Sequence, residues 1–303
     1  MGPSAKAVEN LERHFPQGEE DKDIDAIIQH RANISKGVQG NARLHARDVA
    51  QRMPHDGSIV EAKSYLEGGN VLNTCKADGS PGAVVGAESI GYSLIAMGLE
   101  NTPQNVEKAK QQIAQDLGLK LEDVTFLPQY DFHIDMLYHP LHNGQMAVPD
   151  YEESIKILKN TQIAGMSDET KTALITKLED ISQKTAAIRK QAEEALKKDG
   201  YEVVKLPSFI NGVPDDTSWS NDVLTPNEEA LAGVNINYTN GVGGTGKNGK
   251  TFFITNDSGY PELNQAVEKY FEQAGVDKVY FAPTTEYLKQ NGGVDCRTQE
   301  QPE

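Results

Sequence analysis

Residues 66–98 read LEGGNVLNTCKADGSPGAVVGAESIGYSLIAMG. A β-compatible stretch entered from Ser58 through Val60 and Tyr65 runs into this segment; the polar run NTCKADGSPG breaks it and GAVVG resumes it. Turn residues set between two apolar runs predict a hairpin, and ESIGYSLIAMG behind it predicts a short helix. Thr102 and Pro103 then supply an N-cap and a first-turn proline for a helix ending near Gly118. Asp123–Leu127 (DVTFL) follows as a strand. The unit is strand, helix, strand.

The same rhythm continues outward. DFHIDMLYHPL reads as a strand leading into QMAVPD, after which YEESIKILKN is helical. Ser167 starts a long helix whose apolar positions Leu174, Leu178, Ile181, Ile188, Ala192 and Leu196 are spaced for one buried stripe, with Gly200 where a C-terminal cap belongs. YEVVKLPSFI, VNINYTN and KTFFITN read as strands, ELNQAVEKYFEQAG as a helix, and DKVYFAP as a strand ahead of GGVDCRTQE. Such alternation predicts an α/β protein assembled from similar units, although no sequence identity between units marks a repeat.

A chain of 303 residues buries one large core or two modest ones. Acidic residues outnumber basic ones by 45 to 29, a formal charge of −16 that repels a phosphate backbone, so nucleic acid is not an expected partner. The same field favours a cationic ligand, but a solvated acidic surface is the commoner origin of such a charge. Two cysteines, Cys75 and Cys296, lie too far apart for a zinc ribbon or a CxxC redox pair. No apolar run reaches the roughly 18 residues of a membrane span, and MGPSAKAVENLERHF lacks the apolar core of a signal peptide. The expectation is a soluble, cytoplasmic protein with no membrane partner, its oligomeric state open. Residues 1–57 carry a loose helical pattern around Leu44, Val49 and Met53 and read as a helical N-terminal region. The remainder, 58–303, reads as an α/β domain with a helical insertion at about 151–199.

Three short motifs stand where strands meet loops: Glu67-Gly68-Gly69-Asn70, His133-Ile134-Asp135, and Gly292-Gly293-Val294-Asp295-Cys296-Arg297-Thr298-Gln299. Singly, each has an ordinary explanation as a turn, a structural histidine or an inert thiol. Together and in this order they resemble the guanidino-group-modifying enzymes of the pentein fold, which include arginine, agmatine and peptidyl-arginine deiminases and amidinotransferases. The resemblance covers about Ser58 to Glu300. It implies a β/α propeller built from ββαβ-like units and needs no cofactor and no metal.

The resemblance also implies roles. A guanidinium is planar, cationic and a poor electrophile, so attack on it requires a thiolate, carboxylates that hold the cation, and a proton donor for the leaving amine. Cys296 corresponds to the nucleophile, His133 to the acid/base, Glu67 to the residue that orients the histidine, and Asp135 to a carboxylate that grips two guanidinium N–H groups. Alternation on a strand would place His133 and Asp135 on one face, with Phe132 and Ile134 turned into the core. The implied activity is hydrolytic deimination of an arginine-type guanidine, free or within a protein, to a ureido product and ammonia. Amidino transfer by the same residues, and a weakened pentein that serves as a binding protein, are the alternatives.

Two departures stand out. Asp295 replaces the histidine that commonly precedes the cysteine, and its charge opposes thiolate formation. The family's second guanidinium-binding carboxylate often lies in an Arg-Asp pair upstream; the one such pair before Glu67 is Arg47-Asp48, closer than the pattern expects, which makes Asp48 a weak substrate-binding candidate. The shortened front end suggests missing units, helices in their place, or a longer parent protein. Gly241–Asn248 (GVGGTGKN) nearly spells a phosphate-binding loop, but Asn248 stands where a metal-binding hydroxyl is needed, and KTFFITN beyond it reads as a strand rather than a helix. His139 and His142 lack metal-ligand spacing.

Overall fold

The polar break at 76–80 folds as a tight turn in which the Asp78 carboxylate accepts hydrogen bonds from the Ser80 N–H and hydroxyl. It joins β1 (Val71–Cys75) to antiparallel β2 (Pro81–Gly86), with Val71 opposite Val85 and Cys75 opposite Pro81. The computed structural model describes residues 62–131, 133–209, 231, 234, 236–284 and 293–295. These fall into two compact units, one comprising 62–65 and 90–117, the other 66–89 and the described residues from 118 onward. Residues 1–57 and Asp48 lie outside the described residues.

After β2 come α1 (Glu88–Ala96) and α2 (Pro103–Asp116). The predicted cap forms: the Thr102 hydroxyl accepts from the Asn105 N–H at 3.3 Å, and Pro103 occupies the first turn. At its other end, the Asp116 carboxylate accepts from the N–H groups of Lys63 and Ser64 and from the Ser64 hydroxyl, which holds its pKa below the usual carboxylate value despite burial. β3 (Val124–Leu127) then pairs parallel to β2.

That order, hairpin then helix then a parallel third strand, recurs twice. β4 (His139–Pro140) and β5 (Gln145–Asp150) form an antiparallel pair, α3 (Tyr151–Asn160) and α4 (Asp168–Lys198) follow, and β6 (Glu202–Pro207) returns parallel to β5. β7 (Val242–Thr245) and β8 (Thr251–Asn256) form the third hairpin, with α5 (Pro261–Gln273) leading to β9 (Lys278–Ala282) parallel to β8. Among the described residues the result is a mixed α/β fold with three three-stranded sheets of identical strand order. The helical stretch read at 151–199 is α3 and α4, the connection between β5 and β6.

The long helix α4 joins two cores. Its first half buries Ala173, Leu174 and Leu178 in one cluster with Ala147, Phe253, Leu263, Val267 and Phe271; its second half buries Ala192 and Leu196 in another with Leu72, Val84, Leu127, Met146 and Val148. Strand alternation along β5 explains the split, because Met146 and Val148 face one cluster and Ala147 the other. Ser167 caps the helix by accepting from the Thr170 N–H at 3.0 Å, and Gly200 follows its end with φ of 90°.

Three strand readings need correction. Residues 62–67 form no strand. Among its described residues, DFHIDMLYHPL contains a single 3-10 turn at Ile134–Met136, and only His139 and Pro140 join a sheet. The described residues of VNINYTN are irregular and buried, because the Asn237 side chain folds back to accept from the N–H groups of Thr239 and Asn240. The glycine-rich segment at 241–248 is β7 and its turn into β8; the strand that follows excludes a phosphate-loop helix.

Candidate active site

Glu67 leads into a 3-10 turn, Gly68–Asn70, that opens β1. Asn70 is buried, and its Oδ1 accepts from the Ile134 N–H at 3.1 Å and from Gln129 Nε2 at 3.2 Å. One amide thereby ties the EGGN turn to the HID turn, although 64 residues separate them. His133 is extended, with φ −132° and ψ 145°, and the chain tightens into the 3-10 turn immediately after it. Because of that turn, two-residue alternation does not govern where Asp135 points. Ile134 is fully buried, as read from the sequence, and Asp135 is buried beside it at 1% exposure; Phe132 lies outside the described residues.

His133 Nε2 stands 3.0 Å from Glu67 Oε2, with side-chain exposures of 24% and 40%. A carboxylate acceptor fixes the tautomer with the proton on Nε2. Burial draws the imidazole pKa down, but the Glu67 hydrogen bond and the charges of Asp135, Glu67 and Asp131 outweigh it, and His133 titrates above the ordinary histidine value. Gly69 lies directly against the ring: a Cβ there would sit 2.3 Å from Nδ1. The second glycine of the pair is thus required by close approach, whereas a Cβ on Gly68 meets nothing within 4 Å.

The turn bearing Asp135 is held from its other end as well. The Met136 carbonyl accepts from Asn237 Nδ2 at 3.1 Å and from the Thr239 hydroxyl at 2.8 Å. Asn240 of the same loop reaches the third motif, where its Oδ1 accepts from the Asp295 N–H at 3.0 Å, and Asn256 at the end of β8 accepts through Oδ1 from the Val294 N–H at 3.1 Å. The loop that opens the first hairpin therefore meets the HID turn, and the loop that opens the third meets both the HID turn and the residues immediately before Cys296. Cys296 itself lies outside the described residues. Cys75 is exposed on β1.

Asn70, Gln129, Asn237, Asn240 and Asn256 were not singled out as a network from sequence. A positional signal was present: Asn70 directly precedes β1, and Asn240 stands two residues before β7. His139 is buried edge-to-face on Phe253 at 4.8 Å, and burial drives its pKa down to about 3, so it stays neutral. Among the described residues no three His, Cys, Asp or Glu side chains are grouped to hold a metal, and no helix is long and apolar enough to cross a membrane.

No family model matches the sequence, and no curated protein matches it. The structure is similar to that of C. jejuni agmatine deiminase, at 16% identity and a TM-score of 0.41, over 76% of this chain and 54% of that one. It is also similar to a cysteine-to-serine variant of C. jejuni agmatine deiminase with substrate bound, at 14% identity and a TM-score of 0.46, over 84% of this chain and 61% of the other. The chain thus spans less than two thirds of the length of either.

Proposed function

We propose that this chain is a cysteine-dependent deiminase of the pentein type, which hydrolyses the guanidinium of arginine or an arginine derivative. The observation that carries the reading is the His133–Glu67 pair beside the buried Asp135, on a turn tied through Asn70 to the EGGN turn and through Asn237 to the loop whose Asn240 holds the residues before Cys296. Three repeats of one hairpin–helix–strand order support the propeller-type architecture.

The Cys296 thiolate adds to the guanidinium carbon and forms a C–S bond. Asp135 holds two N–H groups of the cation, and the C–N bond to the departing amine breaks as His133 protonates it to ammonia. His133 then takes a proton from water, whose oxygen adds to the same carbon; the C–S bond breaks and the ureido product leaves. With Nε2 committed to Glu67, Nδ1 is the nitrogen that exchanges this proton. The elevated His133 pKa keeps the acid form present toward neutral pH. The substrate cation beside the thiol offsets the opposing charge of Asp295.

Arginine, agmatine and an arginine-containing peptide, incubated separately with the protein and no added amine, test the reading. Ammonia release together with the mass change of imine-to-oxygen replacement in one substrate supports hydrolysis. Product formation only with an added amine assigns amidino transfer instead. No reaction with any substrate, together with no covalent capture of Cys296 by a haloacetamidine, overturns the enzymatic reading.

A further inference from the structure

The strands of the third sheet end in a group of buried amides that the chemistry above does not use. Asn240 is 0% exposed and Asn256 1% exposed. Asn256, the last residue of the central strand β8, donates Nδ2 to the carbonyls of Asn237 and Asn240 at 2.8 and 2.7 Å, and its Oδ1 accepts from the Thr284 hydroxyl at 2.6 Å and from the Val294 N–H at 3.1 Å. Asn240 Oδ1 accepts from the Asp295 N–H at 3.0 Å, while its Nδ2 points to Met136 Sδ at 3.4 Å, in the turn that carries Asp135. Two successive backbone N–H groups ahead of Cys296 are therefore held by side chains at the edge of the third sheet, Asn256 at the end of β8 and Asn240 in the loop ahead of β7. Gly293 lies against both amides, and a Cβ there would stand 2.2 Å from Asn240 Oδ1 and 2.9 Å from Asn256 Nδ2.

We infer that Asn240 and Asn256 are positioning residues, which fix the turn entering Cys296 relative to the His133–Asp135 turn; the inference rests on Cys296 being the nucleophile proposed above. An amide needed only to satisfy local backbone would bond within its own loop. Here each amide spans from the third hairpin to the 293–295 turn, and Asn240 reaches the HID turn as well. Buried, hydrogen-bonded amides resist displacement, because each broken bond leaves a desolvated group unpaired. Misplacement of a reacting atom by about 1 Å costs on the order of 10²-fold in rate.

The test follows Cys296 alkylation by iodoacetamide as a function of pH, by peptide mass spectrometry, with Cys75 in the same molecules as internal control. The proteins are wild type, Asn240→Ala, Asn256→Ala, Gly293→Ala and the milder Thr284→Val. In wild type, His133→Asn moves the Cys296 profile; in Asn240→Ala and Asn256→Ala, the same substitution no longer moves it. The Cys296 midpoint in these variants moves away from that of wild type, and the Cys75 profile stays fixed. Turnover falls about 10–100-fold in kcat with a smaller change in KM. Gly293→Ala gives the same phenotype, and adding Asn240→Ala to it costs less than the sum of the two.

Cys296 profiles that coincide with wild type in Asn240→Ala and Asn256→Ala, at unchanged melting temperature, overturn the inference. Should the alanine variants not fold, Gly293→Ala and Thr284→Val are read by the same criteria. A wild-type protein that turns over no guanidine removes the deiminase reading, while the alkylation profiles still decide the positioning role by themselves.

Discussion

At the scale of single residues, Glu67, Gly69 and His133 form one device. Gly69 lets the imidazole lie on the backbone, and Glu67 sets its tautomer and raises its pKa. Gly69→Ala places a methyl group against Nδ1 and is expected to lower kcat by about 10²-fold, whereas Gly68→Ala retains activity and leaves stability within about 1 kcal/mol of wild type. Steady-state rates and melting curves of the two variants check this pair. Replacing Glu67 by Gln removes the hydrogen-bonded charge while burial persists, so the His133 pKa falls, as measured by NMR titration of the ring. A raised folded-state pKa favours the protonated form: its contribution to stability is full below about 6.5 and is lost as pH rises through the folded value. In Glu67→Gln that contribution shrinks, and urea midpoints measured at pH 6 and pH 8 draw closer together.

At the scale of elements, what was legible in sequence was whatever local chemistry decides. Thr102-Pro103 and Ser167 announce helix starts, and KADGSPG announces a turn, because caps and turns are settled by neighbours in the chain. The misread strands share a different cause. Alternation in FHIDML matches a strand, but the turn there is held by Asn70, 64 residues before Ile134, and by Asn237 and Thr239, 101 and 103 residues after Met136. Contacts at such separation leave no periodic trace. The α4 stripe shows the same limit: Thr185 and Arg189 are buried within it, while Ile188 is only half-buried. Arg189 lies over the Tyr151 ring at 5.2 Å and donates to Glu152 at 3.1 Å, which fastens α4 to α3. Burial raises the Glu152 pKa, but hydrogen bonds from Ser182 and Arg189 prevail and hold it down at about 2. A depressed carboxylate pKa stabilises the fold above the unfolded value near 4.5, and the gain is lost as pH falls through about 2. Glu152→Gln is therefore expected to lower the urea stability by about 1 kcal/mol at pH 7, since Glu152 is largely exposed, with the deficit vanishing toward pH 2. Asn70→Ala removes the acceptor for Ile134 and Gln129 and is expected to cost about 1–3 kcal/mol, checked by the same melts.

At the scale of the molecule, the loops that open the first and third hairpins both bond to the turn ahead of the second, so residues far apart in sequence meet through buried amides. Repetition of the unit was legible as rhythm, without identity of sequence, because what repeats is strand order and not side chains. The proposed chemistry needs Cys296 and His133 to act on one carbon, and intact-protein mass spectrometry after incubation with a haloacetamidine tests that most directly. The account predicts a single stoichiometric adduct mapped to Cys296, absent in Cys296→Ala, slowed in His133→Asn, and suppressed by a guanidine substrate. Labelling of Cys75 at the same rate as Cys296, indifferent to His133 and to substrate, would contradict it.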